Sequence, residues 1–187
     1  MSRFIAFLRA INVGGRTVKM DRLRQLFEAL GFSRVETFIA SGNVVFGTTA
    51  KNTRLLEKKI EKRLREELGY EVATFIRTDA ELAAIANYQP FRQSQLAAAA
   101  ALNIAFLADA LDDKSRQKLM ALRTEIDDFH VHEREIYWLC RKKQSESAFS
   151  NAVLEKTLGR QSTLRAANTI KKIAAKYPAS KPTLRNG

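Results

Sequence analysis

Apolar residues fill every position from Phe4 to Leu8, which predicts a central strand covered on both faces. The pattern then changes period. Met20, Leu23, Leu26, Phe27 and Leu30 recur at helical spacing, with Asp21 in the first turn and Gly31 as C-cap. Val35 to Ile39 and Asn43 to Phe46 are β-favouring runs joined by Ala40-Ser41-Gly42, a hairpin with a glycine turn. Between Asn52 and Gly69 the narrow stripe Leu56, Ile60, Leu64 and Leu68 predicts a long helix with a solvated outer face. Val72 to Arg77 predicts a fourth strand, and Asp79 caps a shorter helix carrying Leu82, Ile85 and Ala86 that ends before Pro90.

This order, β-α-β-β-α-β-α, is that of a split βαβ or ferredoxin-like unit. It then recurs. Ile5-Ala6-Phe7-Leu8 is repeated letter for letter as Ile104-Ala105-Phe106-Leu107. After the second copy come a helix from about Asp112, a hairpin over Phe129 to His132 and Ile136 to Cys140, and a helix carrying Phe149, Val153, Leu154 and Leu158 with Gly159 past its end. The expected fold is α+β, two tandem ferredoxin-like lobes related by internal duplication, so that strands apolar on both faces find cover. Residues 1–91 form the first lobe, 92–101 a connector, 102–177 the second lobe, and 178–187 a loose tail. A last helix is expected near Leu164 to Tyr177, with Arg165, Asn168, Thr169 and Lys172 along its polar side.

Composition adds a charge asymmetry to this outline. The net charge is +12, and from Arg141 to Gly187 there are eleven basic residues against two acids. A polyanionic partner is one consequence to test, with Lys142, Lys143, Lys171 and Lys172 as candidate nucleic-acid contacts. The lone cysteine, Cys140, lies inside an apolar run and is expected as a core residue in a reducing compartment. No stretch has the apolar length of a signal peptide or a membrane span, so the expected location is cytoplasmic.

The candidate chemistry sits where the first strand ends, in Arg9-Ala10-Ile11-Asn12-Val13-Gly14-Gly15. Glycines let backbone N–H groups approach an anion, arginine grips phosphate or carboxylate with two prongs, and Lys19 adds charge at the start of a helix. A tight turn with an internally paired arginine is the competing explanation. Ser41, Gly42 and Asn43 form the hairpin tip of the same lobe, while Ser147, Ser150 and Asn151 open a helix and are explained by capping first. His130 and His132 alternate on one strand with no third ligand at a suggestive spacing, so no metal and no cofactor are expected. Serine-hydrolase and zinc-protease patterns are missing. Phe7 and Phe46 are too few for a base-stacking sheet of the RNA-binding kind.

The run FLRAINVGGRTVKMDRLRQLFEALGFSRVETFIASGNVVF resembles the opening of bacterial proteins of the domain of unknown function 1697 family. The QPF at Gln89 to Phe91, SAFSNAVLEKTLG and TLRAANTIKKI are similar to its later landmarks. The resemblance implies a duplicated α+β fold and a cytoplasmic bacterial protein, with no established activity to transfer. Its characteristic positions fall here on Arg9, Asn12, Gly14 and Gly15, on Ser41, Gly42 and Asn43, on Asn151, and on Arg165 and Thr169. Where relatives usually show Arg-Asn-Trp, this chain has Arg165-Ala166-Ala167, which removes an aromatic lid at that point.

Three functions are compatible with these features. The first is binding of a small phosphate- or carboxylate-bearing ligand in a cleft between lobes, with or without catalysis. The others are nucleic-acid binding through the basic C-terminal region, and service as a partner-binding scaffold or homodimer.

Overall fold

The computed structural model describes residues 1–12 and 14–179. By contacts the chain divides into two compact units: Met1–Asn87 with the chain from Ile170 onward, and Tyr88–Thr169. The expected tail, from residue 180, lies outside the described residues.

The first unit runs β1 (Ser2–Leu8), α1 (Met20–Glu28), β2 (Ser33–Phe38), β3 (Asn43–Thr48), α2 (Thr53–Leu68), β4 (Thr74–Thr78) and α3 (Asp79–Asn87). Its four strands make an antiparallel sheet in the order β2-β3-β1-β4. β1 is central, as its unbroken apolar run requires. Alternation along the pleat sends Phe4, Ala6 and Leu8 to one face, where Val44, Phe46 and Ile76 join them against Leu23, Leu26 and Phe27 of α1 and Leu56, Ile60 and Leu64 of α2. Phe32 stacks on Phe46 at 4.4 Å and Phe27 meets Phe46 edge-on at 5.6 Å, so aromatic contacts tie α1 to the sheet. Phe7 and Phe46 are both fully buried, and neither presents a ring to solvent for stacking.

Helix α2 begins where its cap dictates: Asn52 accepts from the Leu55 N–H at 3.1 Å, and left-handed Gly69 closes it. Two of its acids serve the edge strand. Glu57 accepts from the Ile76 N–H at 2.9 Å and Glu61 from the Thr74 N–H at 2.8 Å, which occupies donors that β4 would otherwise present to another strand. Burial, the largest influence, raises the Glu61 pKa above the ordinary carboxylate value.

The second unit contains α4 (Gln93–Ala97), β5 (Ala101–Phe106), α5 (Asp113–Met120), β6 (Asp127–His132), β7 (Glu135–Cys140), α6 (Asn151–Leu158) and β8 (Thr163–Ala166). Helix α7 (Ala167–Lys176) starts in this unit and continues into the first from Ile170. The sheet is again antiparallel, ordered β6-β7-β5-β8. Its core groups Leu107, Phe129, Ile136, Trp138 and Cys140 with Leu119, Phe149 and Leu154. Asp127, buried below it, accepts from the Trp138 indole at 2.8 Å and from the Ser147 hydroxyl at 2.8 Å.

One expectation needs correction. Thr163 to Ala166 is a strand pairing with Asn103 to Phe106, so Arg165 does not lie on the last helix, and a polar helix side containing it does not exist. The reason is tertiary: ladder hydrogen bonds to a strand about sixty residues upstream override a helical apolar spacing. Within residues 92–101, Gln93–Ala97 is a helical turn in which the Gln95 side chain accepts from the Arg92 N–H at 3.0 Å.

Both units are therefore mixed α/β bodies with four-stranded antiparallel sheets of the same internal order. The repeated tetrapeptide falls in one register. Ile5 lies opposite Arg77 of β4, and Ile104 lies opposite Arg165 of β8, each arginine buried.

Candidate functional site

The segment after β1 is fastened at both ends. The Leu8 N–H donates to the Gly42 carbonyl and the Arg9 N–H to the Ala73 carbonyl, each at 2.8 Å, so the strand's end is held between the β2–β3 turn and the start of β4. Beyond it the chain turns through left-handed backbone at Ala10, with φ of 52°, and again at Gly14 and Gly15, with φ of 67° and 81°. Added β-carbons at the two glycines would meet nothing within 4 Å, so φ and not packing is what requires glycine there.

Asn12 organises this loop. Its carbonyl oxygen accepts from the Val18 N–H at 2.6 Å and its amide donates to the Ala40 carbonyl at 2.9 Å. One side chain thus spans from the far end of its own loop to the β2–β3 turn. A second brace comes from Tyr70, whose hydroxyl donates to the Ile11 carbonyl at 3.1 Å while the Arg16 guanidinium lies over its ring at 4.2 Å. Gly14, Gly15, Arg16, Thr17 and Lys19 are exposed, and Arg9 is half-buried. Lys19 occupies the N-cap of α1 and makes no side-chain cap bond to the helix's first N–H groups.

The hairpin tip lies against the same loop. A β-carbon on Gly42 would stand 2.7 Å from Ile11 Cγ2 and 3.1 Å from Leu8 Cβ, at a φ of 76°. Asn43 is buried and donates to the Phe38 carbonyl at 2.9 Å and to the Ser41 hydroxyl at 2.8 Å, so its amide shapes the turn, while Ser41 itself is exposed. Ile39 in this turn is left-handed, with φ of 51°, and 54% exposed, a costly state for a β-branched residue.

The remaining candidates belong to the second unit. Asn151 donates to the Ser162 carbonyl at 3.0 Å and accepts from the Ser162 hydroxyl at 2.8 Å, which pins the start of α6 to the chain entering β8. Ser150 caps α6, accepting from the Val153 N–H at 3.3 Å. Arg165 is buried and donates to the Thr163 hydroxyl and the Leu164 carbonyl, each at 2.8 Å. Desolvation pushes its pKa down to about 10, which leaves it charged at neutral pH. Asn168 is exposed and Thr169 half-buried on α7. Lys142, Lys143, Lys171 and Lys172 are all exposed. His130 and His132 contact Tyr88, and among the described residues no three potential ligands group around a metal position.

Arg16 and Tyr70 escape sequence reading. Tyr70, directly after the Gly69 C-cap, lies 59 residues from the carbonyl it holds, and no local pattern marks that partner.

A family profile described as a protein of unknown function (DUF1697) matches residues 1–137. The chain belongs to the DUF1697 family. The match takes in the whole Arg9 loop and the hairpin tip. In fold, this DUF1697 chain resembles the structure of the conserved bacterial protein SP0830 from Streptococcus pneumoniae, with a TM-score of 0.77 and 24% identity over 95% of this chain and 98% of that one. No curated protein matches the DUF1697 chain. No helix among its described residues is long and apolar enough to cross a membrane.

Proposed function

We propose that this protein binds a small phosphate- or carboxylate-bearing ligand at the loop between β1 and α1. The observation that carries the proposal is the two-ended Asn12 clamp, which holds an exposed, left-handed Gly14–Gly15 turn between Arg9 and Lys19. A residue in a sparsely populated backbone region costs on the order of 1–3 kcal/mol, and Ala10 and Ile39 incur that cost on either side of the loop, which sends Ile11 and Val18 into the core and leaves Gly14 to Thr17 exposed. A rigid, basic, glycine-lined turn before a helix whose N-cap residue has no capping side chain offers N–H donors to an oxyanion. Ser41 on the adjoining turn supplies a further hydroxyl. Asn151, Arg165, Asn168 and Thr169 belong to the second unit and form no part of this proposed site.

The test is a phosphate titration of ¹⁵N-labelled protein at fixed ionic strength, beside native mass spectrometry of freshly purified material. Saturable shifts at the Gly14, Gly15 and Lys19 amides, weakened at least tenfold by Arg9→Gln, are expected. Amides that stay in place would remove the proposal. The nucleic-acid alternative through Lys142, Lys143, Lys171 and Lys172 predicts instead a steep loss of duplex affinity with salt, with a log–log slope near 0.9 per phosphate neutralised.

The shared strand order and the Ile5–Arg77 and Ile104–Arg165 registers support a second inference, that both lobes descend from one ferredoxin-like unit by duplication. A single buried cysteine supports a cytoplasmic location.

A further inference from the structure

The outer edge of the first sheet carries a second constellation of charge. Ser33 lies opposite Gly47 and Glu36 opposite Val45, so Arg34 and Val35 together face the single residue Phe46. Arg34 absorbs the extra length in left-handed backbone, with φ of 50°. A bulge of this kind blunts an edge strand whichever residue fills it, and it also re-aims side chains. Here Val35 joins the core while Arg34 and Glu36 stay exposed.

Gly47, across from the bulge, leaves room that a β-carbon would take up. That atom would lie 2.8 Å from the Ser33 hydroxyl and 3.2 Å from the Met1 sulfur. Glu36 is held at the rim, accepting from the Tyr177 hydroxyl at 2.6 Å and the Lys176 ammonium at 3.1 Å. These bonds keep Glu36 ionised, its pKa lowered first by the Tyr177 hydroxyl and then by Lys176. Arg3 completes the ring, donating to the Pro178 carbonyl at 3.0 Å with its guanidinium 5.8 Å from the Tyr177 ring centre. Arg3, Arg34, Glu36, Val45, Gly47 and Tyr177 are among the residues lining a cavity of about 90 Å³. That is room for one small oxyanion in place of a few waters.

The charge count is uneven. Arg3, Arg34 and Lys176 stand against one carboxylate, and Glu36 is already occupied by Lys176 and Tyr177. The Arg34 side chain has no hydrogen bond or ion pair among the described residues, and Arg3 commits one side-chain N–H to a carbonyl. Planar guanidinium forks with donors to spare match the geometry of a phosphate group.

We propose that this cavity is an anion site separate from the Arg9 loop, taking a phosphate group between Arg3 and Arg34, with Glu36 and Tyr177 as its fixed wall and Lys176 holding Glu36 from outside the lining. The full chain, ¹⁵N-labelled, is titrated with inorganic phosphate and, in parallel, with sodium chloride at matched ionic strength. Phosphate should move the Glu36, Gly47 and Tyr177 amides saturably, and chloride should not. Arg34→Gln and Arg3→Gln should each raise the phosphate dissociation constant at these amides at least tenfold. Arg34 is exposed, so its variant should keep the wild-type melting temperature. Identical responses to phosphate and chloride, or wild-type affinity in Arg34→Gln, would overturn the proposal. The Gly14 and Gly15 amides report the loop in the same spectra, so the two sites stand or fall separately.

Discussion

The Tyr88 hydroxyl lies 2.8 Å from Nε2 of His130, and the same Tyr88 ring lies flat on His132, with centroids 4.0 Å apart and planes 11° from parallel. Tyr88 is the first residue of the second unit, so this contact fastens the incoming chain to β6. Protonating the pair would place charge in a half-buried aromatic cluster.

Desolvation, the largest influence, lowers the His130 pKa below 6.5, and the charges of His132, Arg116 and Arg123 push the same way against Asp128. The sign follows from linkage. Above the unfolded value neither state holds the proton, and as the pH falls the unfolded chain takes it up first, so stability is lost on acidification. The urea midpoint should drop between about pH 7.5 and about pH 5.5, and the drop should be smaller in His130→Gln. Equal drops in the two proteins would show that His130 is not the group responsible.

Two glycines of the loop region should behave unequally on substitution by alanine. Gly14→Ala meets open space and incurs only the left-handed backbone penalty, about 1 kcal/mol. Gly42→Ala incurs that penalty and also drives a methyl to 2.7 Å from Ile11, which is fully buried, so the strand end or the turn must shift. A total of roughly 2–4 kcal/mol is expected from strain plus overpacking. Chemical denaturation of both variants measures the difference, and similar losses would mean that the hairpin tip yields freely.

Much of the fold could be read from the sequence because its signals are local. Asn52, Gly69 and Gly159 mark helix ends as caps do, and the repeated Ile-Ala-Phe-Leu marks the two central strands. What escaped depends on distant partners. β8 was hidden inside a helix-like spacing, although the first copy, in which β4 runs straight into α3, already called for a strand before the last helix. Asn12 could be picked out as a residue but not as a clamp, since Ala40 lies 28 positions away. The Glu36–Tyr177 pair spans 141 positions, and nothing along the chain announces it.

Cys140 is fully buried on β7, and its thiol donates to the Lys142 carbonyl at 3.0 Å. Burial is the largest cause raising its pKa, so the reactive thiolate is scarce at neutral pH. Alkylation by iodoacetamide should be at least a hundredfold slower in native protein than in urea. Comparable rates, read by mass spectrometry, would mean that β7 opens readily or that the thiol is exposed.

Arg77 and Arg165 occupy matching positions opposite Ile5 and Ile104, and both are buried, at 1% and 7% exposure. Each donates to the carbonyl of the residue before it at 2.8 Å, Ile76 for Arg77 and Leu164 for Arg165. An arginine this deep is tolerated only with its donors satisfied, and removing it leaves both a cavity and acceptors without a partner. Arg77→Ala and Arg165→Ala should therefore each cost roughly 3 kcal/mol, well above the 1 kcal/mol typical of a substitution. Lysine should rescue neither, because an ammonium cannot reproduce the planar fork of donors. If one alanine variant melts like the wild type, the two positions are equivalent in register but not in energy, and the arginine's importance belongs to one lobe alone.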